Sequence, residues 1–258
     1  MKPNQITNQV TTNLLSGAFA VAVTGTASAI TYDAASDFSA TNPSGAWTYG
    51  SYSTANTPAS FVAFNNYAAN SGGTGLDFHN ISGDIDAVPA VFHNATSGTI
   101  FNAFTTLDVP AGGLALHPGN LGERAVIRFT VPTAGLYSIS ADFFGWDHGS
   151  VWEPYTTTDV YVNDASNFNF SGLVNGYSLT VPFASYAGGP AWLAAGSTID
   201  FSVGMSGSSG DLTYFNDSTG LSAQVTSSAS NNLPDGGTTV ALLGLSLSGL
   251  AYFRRKLA

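Results

Sequence analysis

The stretch Ala125-Val126-Ile127-Arg128-Phe129-Thr130-Val131 decides the fold class. Ala125, Ile127, Phe129 and Val131 fall on one side of an extended chain, with Arg128 and Thr130 on the other. Successive side chains of a strand point to opposite faces, so a period of two is the mark of a half-buried strand. Ser197-Thr198-Ile199-Asp200-Phe201-Ser202-Val203 repeats the arrangement, with Ile199, Phe201 and Val203 in and Asp200 and Ser202 out. Residues 220–226 put Leu221, Ala223 and Val225 inside; 136–144 and 157–163 do the same through Tyr137, Ile139, Ala141 and Phe143, then Val160 and Val162. Turn formers separate these runs at 132–135 (Pro-Thr-Ala-Gly, read as a tight hairpin turn), 163–166, 174–177 and 194–197. Residues 30–231 contain no convincing amphipathic helix. Short alternating strands with frequent turns predict an all-β chain, an antiparallel β-sandwich or jelly roll.

Shorter strands are expected at 47–52, 61–64, 91–94 and 100–107, completing one sandwich with the better-patterned half. No Pro- or Ser-rich linker divides 30–231, so one domain is expected there. Over residues 110–226 the succession of strand, Pro-x-x-Gly-x-Tyr turn, strand, aromatic loop and further strands resembles the lectin-like and galactose-binding-like jelly rolls of carbohydrate-binding modules and secreted matrix proteins.

Charge narrows the function. The chain has 258 residues, 16 acids and 6 basic residues, and only 9% are charged, against about 25% in an average protein. Nothing here neutralises a run of phosphates, which excludes nucleic acid as a partner. The composition equally excludes a coiled coil, and 44% hydrophobic residues exclude simple disorder. Residues 30–231 hold two arginines, no lysine and 15 acids, a balance of −13. There is no cysteine, so the fold rests on packing without disulfides.

The remaining basic residues mark the ends. Lys2 precedes an apolar run at 14–25, and Ala27-Ser28-Ala29 supplies the small-x-small pattern of a signal-peptidase site. Residues 1–29 therefore read as a secretory signal peptide, cut before Ile30. Near the other end Leu233, Pro234, Asp235, Gly236 and Gly237 precede an apolar stretch at 240–253, then Arg254, Arg255 and Lys256. Fourteen helical residues reach roughly 21 Å, and the basic trio fits the positive-inside rule for a membrane helix. This order of parts resembles the PEP-CTERM sorting signal, in particular its VPDSG-type variant, with Leu233 and Gly236 in place of the usual Val and Ser. The resemblance covers 232–258. It implies an exosortase partner that cuts near the motif, transient anchoring in the inner membrane, and delivery to the cell surface, outer membrane or biofilm matrix of a Gram-negative bacterium.

Candidate chemistry is sparse. No nucleophile elbow, Walker loop or zinc-protease motif occurs, and an enzyme is not the expected reading. His79, His93, His117 and His148 are well spread; the settings Phe78-His79-Asn80 and Phe92-His93-Asn94 suggest a face shared by two of them. Asp142, Asp147, Glu153 and Asp159 surround an aromatic loop, and a pair of them facing each other would suit glycoside hydrolysis. Sugar rings stack on indole and phenol while carboxylates accept their hydroxyl protons, so Trp146, Asp147, Trp152, Tyr155 and Trp192, with Tyr186, form the expected carbohydrate platform. Asp84, Asp86, Asp211 and Asp217 are oxygen ligands placed in loops and are the candidates for calcium. Three functions compete: a matrix protein that contacts exopolysaccharide, a secreted glycan hydrolase, and a self-associating structural component. The first leads.

Overall fold

The computed structural model describes residues 28–53, 55–81, 88–148, 155–163, 169–205 and 216–228. Among them run β1 (Ile30–Asp33), β2 (Trp47–Tyr52), β3 (Phe61–Ala63), β4 (Asn66–Ala68), β5 (Leu76–Asn80), β6 (Ala90–Asn94), β7 (Ile100–Ala103) and β8 (Leu107–Val109). They continue as β9 (Leu114–His117), β10 (Arg124–Thr130), β11 (Gly135–Gly145), β12 (Tyr155–Val162), β13 (Phe170–Asn175), β14 (Ala184–Leu193), β15 (Thr198–Met205) and β16 (Thr219–Ser227). The leader and the tail lie outside the described residues. Ser28–Ser230 form one compact unit. Among the described residues no helix is long and apolar enough to cross a membrane.

Two antiparallel sheets face each other. One runs β14-β11-β16-β9-β6-β5-β4, with β1 beside the upper half of β16; the other runs β13-β12-β15-β10-β2-β3. The alternation that predicts a sandwich is what fills it. Ile127, Phe129, Ile199, Phe201 and Val203 from one sheet meet Tyr137, Ile139, Phe143, Leu221 and Val225 from the other in a single buried cluster. Each such side chain contributes about 1.5–3 kcal/mol when fully buried.

The first correction concerns the turns. Residues 132–135 do not close a hairpin: β10 pairs with β15 and β2, while β11 pairs with β14 and β16, so the turn carries the chain from one sheet to the other. Val131 leaves the ladder by bonding the 196–197 turn, donating to Ser197 O and accepting from Gly196 N, both at 2.8 Å. The turns at 174–177 and 194–197 also change sheets; the one at 163–166 joins β12 and β13, which do pair.

The second concerns 100–107, expected as one strand. Asn102, Phe104 and Thr105 take positive φ, and the segment folds back as the hairpin β7–β8. That hairpin roofs the outer side of β5, β6 and β9. Ala103, Leu107 and Val109 pack there on Leu76, Phe78, Phe92 and Ala115 as a second core.

The third concerns what "out" means. Asp200 and Ser202 do face away from the inter-sheet core, yet they are 1% and 0% exposed. Tyr52, Tyr161 and the two arginines cover them.

Candidate functional site

β11 ends at Gly145, and the next residues run alongside the β7–β8 hairpin: Asp108 N donates to Trp146 O and His148 N to Thr106 O, both at 2.9 Å. This buries the part of the aromatic loop that is described. Trp146 is 5% exposed and cannot stack on a sugar. Its ring lies over Gly113 and Gly220; a Cβ on Gly113 would sit 2.9 Å from the indole, and one on Gly220 would fall inside it. Two distant glycines thus make the seat for the ring, which is why its burial does not show in the loop's own sequence.

Asp147 is also buried, at 3%. Its Oδ2 accepts from Ser218 N at 3.3 Å, and its Oδ1 has no hydrogen-bond partner. The structure therefore ties Asp147 to the backbone that follows Asp217, itself 5% exposed. His117 faces the same place; burial pushes its pKa down, and the Asp147 carboxylate works against that. Asp108, which the sequence reading passes over, organises the other side of this strand end. It accepts from Tyr177 Oη at 2.8 Å and Asn102 N at 2.8 Å, and its Oδ1 lies 3.3 Å from His148 Nε2. Burial, then the bond to Asp108, pushes the Tyr177 phenol up to about 12.

Trp152, Glu153, Asp84, Asp86 and Asp211 lie outside the described residues. Tyr155 opens β12 opposite Asn175; its side chain is likewise outside them. Tyr186 points inward, its ring 5.6 Å from Phe170. Among the described residues no group of three or more His, Asp or Glu is placed to hold a metal. His79 and His93 do share a face: they project between the sheets, stacked on Tyr49 at 4.8 Å and Phe38 at 4.6 Å. His117 and His148 sit at the other site.

The described acids of 142–159 do not converge. Asp142 is on the outer face of the eight-stranded sheet, accepting from Ser185 Oγ at 2.6 Å. Asp159 is on the outer face of the opposite sheet, 2.7 Å from Arg124 Nη2.

Among the described residues, what remains open is a sheet face. The β7–β8 roof covers only half of the eight-stranded sheet. The outer side of β14, β11, β16 and β1 presents Ser185, Ser140, Ser222, Gln224 and Thr31 exposed, with Ser138, Asp142 and Thr226 half-buried. Trp192, 65% exposed, lies directly across from Leu136, 45% exposed, at one end. From Leu136 to Phe144 the face is about 26 Å long, and four strands make it about 14 Å wide. It is a surface of hydroxyls, one amide and the carboxylates of Asp142 and Asp33, with an indole at its end. Of the described residues of the expected platform, only Trp192 is on it.

The tail carries a VPDSG-CTERM motif, matched over residues 234–257. That motif implies export, association with a bacterial cell surface, and processing by an exosortase-like enzyme. No curated protein sequence matches the chain. Among solved structures it is similar to a cycloisomaltooligosaccharide glucanotransferase of Paenibacillus sp., complexed with cycloisomaltoheptaose, at 16% identity and a TM-score of 0.25 over 54% of this chain and 18% of that one. A second is the isomalto-dextranase of Arthrobacter globiformis T6, complexed with panose, at 11% identity and a TM-score of 0.25 over 78% of this chain and 32% of that one. The chain thus spans less than a third of either enzyme, and likeness this loose says nothing about its own activity.

Proposed function

We propose that this chain is a non-enzymatic surface protein of a Gram-negative bacterium whose sandwich contacts extracellular polysaccharide through the open face of β14, β11, β16 and β1. Residues 1–29 act as the leader, 30–231 as the ectodomain, and 232–258 as a tail that anchors the chain in the inner membrane until an exosortase-like enzyme removes it. The observation that carries the contact is Trp192 beside Leu136 at the end of an otherwise hydroxyl-lined sheet face. An exposed indole offers a stacking surface for the C–H face of a sugar. Serine, threonine and glutamine supply both donors and acceptors for hydroxyl groups.

A hydrolase would need two carboxylates across one cleft, whereas Asp142 and Asp159 stand on opposite faces. The test is affinity electrophoresis of the full-length chain in gels containing soluble polysaccharides. Trp192→Ala should weaken retardation by about 2- to 10-fold with the melting temperature unmoved. Full retardation of that variant would remove this face as the contact.

A further inference from the structure

Resting on that reading of the face, we propose that its ligand is an uncharged polysaccharide and that acidic or sulfated glycans are turned away. Residues 30–231 contain Arg124 and Arg128 and no lysine, so these two are the only arginine or lysine side chains an anionic sugar could find there. The α-amino group that leader removal leaves on Ile30 is one charge at the rim of the face against a balance of −13. Both arginines are committed elsewhere. Arg124 meets Asp159 at 2.7 Å through Nη2 and also donates to Ser202 Oγ at 3.0 Å and Thr157 Oγ1 at 2.8 Å. Arg128 grips Asp200 with Nε and Nη2, both at 2.7 Å, and Nη2 also reaches Pro58 O at 3.0 Å.

Their position matters as much as their pairing. Both arginines stand on the outer face of the six-stranded sheet, behind the whole thickness of the sandwich from the proposed face. No histidine lies on that face either: His79 and His93 project between the sheets, and His117 and His148 sit beside Asp147 and Asp108. The face does carry carboxylates, Asp142 and Asp33. The body's balance of −13 adds to them. A uronate or sulfate brought within a Debye length, about 8–10 Å at ordinary salt, meets repulsion and no compensating donor of positive charge. Neutral hydroxyls meet acceptors instead, and Asp142 then becomes an asset, because a carboxylate accepts a hydroxyl proton in a charge-assisted bond.

The experiment uses matched backbones that differ only in charge: hydroxyethyl cellulose against carboxymethyl cellulose, and dextran against dextran sulfate. The full-length chain carries Lys2→Gln, Arg254→Gln, Arg255→Gln and Lys256→Gln, so that its ends add no cationic side chain while the body is unchanged, and the gels are run at about pH 9, where the Met1 α-amino group is mostly neutral. Gels are run in EDTA at low ionic strength. The expected result is retardation by at least one neutral polymer and none by its charged partner, with the neutral retardation unaltered in high salt. Equal or stronger retardation by the charged partner, still lost in Trp192→Ala, would overturn charge exclusion and leave the face as the binding surface. Retardation by neither neutral polymer would overturn the face and this inference together.

Discussion

Arg128 stands directly opposite Asp200 on neighbouring strands and holds it bidentately, in a layer turned away from the main core. Tyr52 Oη adds a third bond to the same carboxylate at 2.6 Å, and Phe61 covers the guanidinium at 4.1 Å. Half of the body's cations are therefore spent inside this one cluster. Removing one partner strands a buried charge. Arg128→Met should cost about 3–5 kcal/mol in urea denaturation. The double variant Arg128→Met, Asp200→Leu should recover most of that loss, because an apolar pair of similar volume carries no desolvation cost. A double variant no better than the single one would mean that the cluster's geometry, and not its charge, holds this layer.

Trp146 and Trp192 are the same residue type with opposite fates, and substitution separates them. Trp146→Ala empties the seat over Gly113 and Gly220 and should cost about 3–5 kcal/mol. Gly220→Ala drives a methyl into the indole and should cost about 1–3 kcal/mol. Trp192→Ala touches an exposed edge strand and should stay within about 0.5 kcal/mol of the parent. Chemical denaturation of the three variants checks the ordering; a large loss in Trp192→Ala would mark it as structural.

These contrasts show where the sequence is readable. Strands β10, β11, β15 and β16 bury one face in the main core, so alternation at Ile127 and Phe129, or Leu221 and Val225, names both the element and its inward side. Around Leu114-Ala115-Leu116 and Phe78-His79-Asn80 the pattern fails because the sheet is roofed and both faces are buried. β14 fails differently: Ser185-Tyr186-Ala187-Gly188-Gly189-Pro190 is a Gly-rich, irregular stretch by sequence, yet a bulged edge strand accommodates it. The expected sugar platform followed aromatic residues in one loop. The structure buries Trp146, turns Tyr186 inward, and leaves Trp192 on a face with hydroxyls of β11, β16 and β1, strands distant from it in sequence. Such a face is assembled by sheet order, which local composition does not encode.

Acid should weaken the fold through its histidines. Burial pushes the pKa of His79, His93 and His117 below the ordinary 6.5. The unfolded chain then binds these protons more tightly than the folded one, so stability is full above 6.5 and falls as pH drops below it. The urea midpoint should decrease between about pH 7.5 and 5.5. His93→Phe removes one such group, along with its unpartnered Nδ1, while keeping a ring against Phe38; the decrease should become shallower. An unchanged slope would place the acid sensitivity with the other two.

Processing should leave the sandwich whole. Ile30 pairs with Ser227, so the first and last strands of the body, β1 and β16, lie side by side in one sheet. The expected leader cut falls immediately before β1, and the motif at 234–257 begins after β16 has ended. Both cuts therefore spare every described strand, and the first turns the Ile30 amide, which donates to Ser227 Oγ at 3.0 Å, into an α-ammonium that is still a donor. Intact-mass analysis from the native host should give a chain running from about Ile30 to near Pro234, with the melting temperature of the uncut protein. A mass that retains 240–258 would make the tail a permanent anchor. A melting temperature that falls on cutting would show that the ends contribute to the fold.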